Sequence, residues 1–495
     1  MAVMLSPSIL TREVDYTTYV AQVSTSVLGL VGGATKGAVN EVTFISSSED
    51  FIRRFGIPTP DSLSSYAAIQ YLAEGNQLWY VRVTDDTESV SSVTVTDGAE
   101  VEPAQVLVVN AVSAGTWGNT VYVTISNVDE KEFRLNVGHD GIIVETYSCS
   151  LDSDSENYVE TVVEGSRYIE VEDILGGIGT TIDEGRFDLA GGSNGLEGLT
   201  LQHITGASGT TNGLQAFRNV EEIDVNILAV PGKSSTGVVA NEIIAICEER
   251  GDCFGLIDPP MGLDPQEVVA WHNGTGAGAD DPQAALNSSY AATYYPWLEI
   301  SDPYYNTTRW VPPSGFVAAQ FAYNDRVANP WSAPAGLKRG RLVRPLRLET
   351  SVDKGSRDLL YSNGNVINPI VNFKQDGITI FGQRTLQRQP SATDRINVRR
   401  LLLTVRKAVA SSTAYLVFDP NDEFTWNEWR GLVEPFLNSI KRGRGMYEYR
   451  VQMEPTSDEI DRNSMPGRVL IQPTRTAEFI PIDFVLLASG AEFPE

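Results

Sequence analysis

The 495-residue chain carries 37 basic and 64 acidic side chains and stands at −27 at neutral pH, which argues against a dedicated nucleic-acid binder, because phosphate contacts need a cationic footprint. Apolar residues make up 42%, enough to exclude a largely disordered chain, and the length suggests about three domains. No apolar run approaches the roughly 20 residues that cross a bilayer.

The first twenty residues alternate polar and apolar groups and read as an extended arm bearing Ile9, Leu10, Val14, Tyr16 and Tyr19. Strands are expected at 26–31 and 41–46, a short helix at 49–55, and a longer one at 64–73 that ends at Gly75-Asn76. The run QLWYVRV at 77–83 reads as a buried strand. From about Thr87 to Gly198 the texture changes. Short β-branched runs at 106–109, 121–126, 133–137, 142–147 and 158–163 are divided by Gly, Asn, Asp and Ser, which predicts an inserted all-β domain.

Alternating α/β material resumes with a strand at 224–230, a helix at 236–250, a strand at 253–258 and a helix at 264–272. That order implies parallel strands joined by right-handed crossovers. Strands at 290–300 and 308–311 precede a helix over 313–327 that opens with Pro-Pro-Ser-Gly. The last third reads as another α/β unit, with strands at 366–373 and 378–381. A helix through 396–406 has one apolar and one basic side. A second helix at 424–441 carries Trp426, Trp429, Val433, Phe436, Leu437 and Ile440 as its apolar stripe. Strands at 446–453 and 468–473 follow, and Glu478–Ala488 closes as a strand-forming run with Ile480, Ile482, Phe484 and Leu486 on one face. The expected fold is mixed α/β (α+β) and multidomain. It comprises an arm at 1–20, a middle domain from 21–86 plus 199–337, an acidic β-rich insert at 87–198, a C-terminal domain at 338–478 and a terminal strand at 479–495.

Charge is segregated along the chain. Lys338–Arg450 holds twenty basic groups against eleven acidic ones, whereas Thr84–Thr200 holds four against twenty-three. An acidic cluster is ordinarily a solvated face. Segregation over whole segments suggests instead an acidic exterior and a more basic side that meets a partner. Cys149, Cys247 and Cys253 show no metal spacing and leave one thiol unpaired in any disulfide scheme, so a reducing compartment is expected. Met1–Thr11 has no basic stretch followed by an apolar one, so no secretory leader is expected.

The best enzymatic candidate is Gly232-Lys233-Ser234, between a strand and a helix, with Asp258 ending the next strand. A phosphate-cradling loop needs a glycine five positions before the Gly-Lys pair. Ile227 stands there, and Pro231 removes a backbone donor. Lys233 is therefore expected to be a solvent-facing lysine on a turn. Gly274–Ala279 ends in alanine and follows no strand, unlike a dinucleotide fingerprint. Asp152–Glu156 begins like a calcium loop, but Asn157 replaces the turn glycine and Val163 the bidentate glutamate. His139, His203 and His272 have no ligand-spaced partner, and Cys247 and Cys253 are expected in the core. No catalytic, cofactor or metal site is expected.

Several stretches occur together in order: SPSILTRE at 6–13, VSTSV at 23–27, GGATKG at 32–37, FIRRFG at 51–56 and LWYVRV at 78–83. GTWGN at 115–119, AATYYPWL at 291–298, WVPPSG at 310–315, APAG at 333–336, INVRRL at 396–401 and FDPN at 418–421 follow. Together they resemble the contractile-tail sheath proteins of bacteriophages and related injection machines. One departure is VQME at 451–454, where many members have a Cys-Asp pair. The resemblance implies a non-catalytic subunit of the virion tail, assembled in the host cytoplasm. It also implies stacked hexameric rings forming a helical sleeve around an inner tail tube, which contracts to drive the tube through the target envelope. The implied partners are further copies, the tail tube protein, and baseplate and tail terminator proteins, with no direct nucleic-acid contact and no membrane insertion. Terminal arms are expected to add strands to neighbouring subunits, and the basic third to face the tube. Lys441, Arg442 and Arg444 are the leading tube contacts. Arg399, Arg400, Arg406 and Lys407 come second, with internal ion pairing as an equal alternative. The sheath of a non-phage injection system, another self-assembling shell or baseplate protein, and a P-loop-like enzyme remain alternatives.

Overall fold

Parallel strands are covered on both faces and must be apolar along their whole length. LGLVG at β1 (Leu28–Gly32) meets that demand, with every residue buried. In the computed structural model, which describes residues 24–99, 102–178, 181–276, 282, 284–362 and 364–481, β1 lies inside an eight-stranded sheet. The expected arm positions Ile9, Leu10, Val14, Tyr16, Tyr19, Ile482, Phe484 and Leu486 lie outside the described residues. β2 (Val42–Ile45), α1 (Ser48–Phe55), α2 (Leu63–Tyr71) and β3 (Leu78–Arg82) come next, with β3 parallel to β1 and β2 antiparallel at the edge. Ser47 starts α1 by accepting the Asp50 N–H.

Asp85 marks the exit into the insert. Its N–H donates to Gly195 O at 2.8 Å and its carboxylate accepts the Gly198 N–H at 2.6 Å, so entry and return lie side by side. The insert contains β4 (Ser92–Thr96), β5 (Gln105–Ala111), β6 (Val121–Asp129), β7 (Glu132–His139), β8 (Ile142–Ser150), α3 (Val159–Val163), β9 (Ile169–Asp173) and β10 (Gly185–Asp188). They form a three-stranded sheet β4-β5-β9 and a four-stranded sheet β10-β6-β7-β8. Its core, including Leu107, Val123, Leu135, Val159 and Val163, is drawn from the insert itself. The strand expected at 158–163 is instead α3. Val159 and Val163 stand one turn apart and bury together, so packing overrides the β preference of valine. The seam with the parent sheet is polar. Fully buried Arg82 donates to Gly37 O, Ala114 O and Asn194 O at 2.6, 2.8 and 3.3 Å. Gly115, at φ +145°, lets the backbones meet, since a Cβ there would sit 1.9 Å from Thr35 O.

After α4 (Leu201–Thr205) the chain rebuilds the main sheet through β11 (Ile227–Ala229), α5 (Gly237–Arg250), β12 (Phe254–Ile257), α6 (Pro265–His272) and β13 (Ala291–Tyr295), all three strands parallel. The single strand expected at 290–300 is two. Pro296 cannot donate to a ladder, and β14 (Leu298–Asp302) joins β15 (Thr307–Val311) in a separate antiparallel sheet. α7 (Ser314–Val327) packs on α2, and β16 (Arg347–Leu348) completes the small sheet. Following α8 (Lys354–Leu360), β17 (Ile367–Phe373) pairs parallel to β13 and β18 (Gly377–Ile380) forms the other edge, giving the order β18-β17-β13-β12-β11-β1-β3-β2. The domain boundary expected near 338 is therefore displaced. The 367–380 hairpin buries its apolar side chains in the middle sheet, and the compact unit extends from 24 to 404.

The unit beginning at 405 takes over within α9 (Ile396–Thr413). It contains α10 (Glu423–Arg442), β19 (Met446–Met453), α11 (Ser457–Asp461) and β20 (Gly467–Pro473). Asp422 caps α10 by accepting the Phe424 and Thr425 N–H groups, and Trp429, Val433, Leu437 and Ile440 form its buried stripe. Among the described residues no helix is long and apolar enough to cross a membrane.

Candidate functional site

The turn between β11 and α5 serves packing. Lys233 is exposed, while Ser234 is buried against Asp258. Asp258 N–H donates to Ser234 Oγ at 3.0 Å. Its carboxylate accepts the Ser314 N–H at 2.9 Å and the Ser314 hydroxyl at 2.6 Å. Asp258 thus caps α7, whose own Pro313 has no side chain to do so. Burial pushes its carboxyl up to about 7, against the hydrogen bonds it accepts. The serines occupy the carboxylate that a nucleotide site would turn toward a metal. His203 caps α4, and burial holds His272 down to about 4. The three cysteines are buried thiols. Among the described residues no group of three His, Cys, Asp or Glu is placed to hold a metal.

Arg399 and Arg400 face inward, which favours internal pairing, the alternative expected for them beside tube contact. The first turn of α9 is buried all round. Arg400 reaches Asp325 through Nη1–Oδ1 at 2.9 Å and Nη2–Oδ2 at 2.6 Å, donates to Thr25 O at 3.1 Å, and lies 4.6 Å from the Phe321 ring centroid. Arg399 stacks 4.1 Å over Tyr290 and bonds Ser289. These are internal ion-pair and stacking roles. The missing sequence signal was Asp325, 75 residues away, on the buried side of α7.

Lys441, Arg442 and Arg444 lie at the C-terminal end of α10. Lys441 Nζ is 2.8 Å from Glu448, and Arg442 and Arg444 are exposed. Cations there complement the helix dipole, which is a local role for the same charges. Beside them β19 and β20 form a two-stranded antiparallel sheet on α10. Neither outer edge has a neighbouring strand among the described residues. Beyond β20 the chain runs without regular structure to Pro481, leaving Phe479 81% and Ile480 74% exposed. The strand expected from 478 is thus absent over 478–481.

Sequence profiles of the phage tail sheath protein central domain and the phage tail sheath C-terminal domain match residues 205–386 and 388–486, together more than half of the chain. The chain belongs to the phage tail sheath family. It is 29% identical over 396 residues to the tail sheath protein of Vibrio phage KVP40, across 76% of this chain and 56% of that protein. It is 32% identical over 295 residues to the tail sheath protein of Enterobacteria phage T4, across 56% and 44%. This sheath-family chain therefore spans about half the length of the curated relatives it matches. A sheath tail protein from Listeria innocua shares the fold with TM-score 0.61 and 13% identity, over 91% of this chain and 95% of that one. The contracted sheath of an extracellular contractile injection system does so with TM-score 0.57 and 18% identity, over 98% of both. The family is a structural one, and its assemblies are built by self-association.

Proposed function

We propose that this chain is a contractile tail sheath subunit without catalysis, cofactor or metal. It polymerises into stacked hexameric rings around an inner tail tube and contracts to drive that tube through the target envelope. The observation that carries the reading is the β19–β20 sheet, neither of whose outer edges has a neighbouring strand among the described residues, with the exposed Phe479-Ile480 segment leading away from it. An open sheet edge is a template for another chain. Strands supplied by residues 1–20 and 479–495 of neighbouring copies would complete it, main-chain bonds giving affinity and alternate side chains giving register. Subunits tethered in this way can move between packings without dispersing. Contraction then follows stored-strain logic, the extended packing being held by the tube and the end plate until release.

Lys441, Arg442 and Arg444 are the proposed tube contacts, and baseplate and tail terminator proteins are the proposed partners at the sleeve ends. The acidic insert is assigned to the outer surface, where it keeps the particle soluble. Nucleic acid and membrane are not contacted directly. Negative-stain microscopy of the purified chain tests the proposal. Straight hollow sleeves are expected, and closed shells or persistently dispersed monomers would overturn it. Imaging the native particle for an attached capsid separates a virion tail from a cellular injection system.

A further inference from the structure

A cleft of about 470 Å³ opens in the 24–404 unit between the end of α2, one face of α7 and the segment 337–344. Phe316, Ala319 and Leu342 give it an apolar floor. Arg341 and Arg344 stand exposed on its rim, and among the described residues neither has a carboxylate partner. The lining carboxylate, Glu74, is held by Arg326 at 2.6 Å. On the α2 side Gln70 is only 6% exposed, and its Oε1 and Nε2 are buried without a partner among the described residues. Apolar floor and cationic rim therefore match an acidic-apolar stretch of polypeptide.

The same unit presents such a stretch. Residues 219–222, Asn-Val-Glu-Glu, form an exposed turn before β11, with Val220 48% exposed. Glu221 and Glu222 have no cationic partner among the described residues, since the adjacent Arg218 is engaged by Glu242 and Glu249. We propose that the 219–222 turn of one copy docks in the 337–344 cleft of a second. Val220 meets the apolar floor, and Glu221 and Glu222 meet Arg341 and Arg344. A contact between two different surfaces propagates head to tail, closing into rings or continuing as a helix. This contact rests on the assembly proposed above and is separate from the arms.

Two charge-reversed chains test it: R341E/R344E and E221R/E222R. Each should raise the critical concentration for assembly about tenfold or more, read by sedimentation and negative stain, and the four changes combined in one chain should restore it. Wild-type assembly by either reversed chain, or no recovery in the combined chain, would overturn the contact. So would self-association that survives reversal while binding to another tail protein is lost. If even the wild-type chain makes no sleeves, the assembly reading fails. The contact is then decided by mixing the two reversed chains, each of which alone stays dispersed while the mixture associates in the ultracentrifuge; absence of association in the mixture would refute it.

Discussion

The Arg400–Asp325 pair links the start of α9 to α7, and its removal has a calculable cost. The two side chains are only 4% and 7% exposed. Besides the two guanidinium bonds, Asp325 accepts the Thr25 hydroxyl at 2.7 Å, so the pair also holds the segment that enters β1. In D325A the guanidinium keeps the Thr25 carbonyl but loses its only carboxylate partner among the described residues, in a site without room for bulk solvent. Breaking a buried pair from one side costs about 3–5 kcal/mol. Replacing both members with apolar residues, as in R400M/D325L, should cost far less, because no charge remains to be desolvated. Urea unfolding of the unassembled chain, followed by circular dichroism, gives the values for each single variant and the pair. A D325A cost below about 1 kcal/mol, or a double variant as damaged as the sum of the singles, would refute the reasoning.

Asp258 carries a pH signature. Burial raises its carboxyl from the ordinary 3.8 to about 7, so the folded chain binds the proton more tightly than the unfolded one. Its contribution is complete below the unfolded value and is lost as pH rises to about 7, at up to about 1.4 kcal/mol per pH unit. D258N should remove that slope from a stability–pH profile, and an unchanged slope would contradict it. Deleting Thr87–Gly198 and bridging the gap should leave a folded chain that still assembles, because the insert has its own core. Its thermal midpoint should fall as Arg82 loses the Ala114 and Asn194 carbonyls, and loss of the polymer would show that the insert makes ring contacts. K441E/R442E/R444E should preserve sleeve formation and abolish loading onto the tail tube, so normal co-sedimentation with the tube would remove these residues from that interface.

Local order was readable where local signals decide it. The helix at 423–442 is marked by its apolar stripe and that at 314–327 by the Pro-Pro-Ser-Gly that opens it. The return of the insert near Gly198 was visible as a change of texture, and Asp85 closes that junction. Long-range packing was not readable. Whether 367–380 belongs to the middle sheet depends on its pairing with β13, some 75 residues earlier. Arg399 and Arg400 looked like a basic helix face because Asp325 and Tyr290 cannot be inferred from their own spacing. Val159–Val163 has strand composition and helix burial, and only the neighbouring sheet decides between them. The amide of Gln70, unpartnered among the described residues and inside a helix buried on nearly all sides, carries no sequence signature.

Removing Met1–Val20 tests the borrowed-strand account most directly. The shortened chain should keep its circular dichroism spectrum and thermal transition, stay in solution, and form no sleeves under conditions where the full chain does. Sleeves of normal length from the shortened chain would contradict the account.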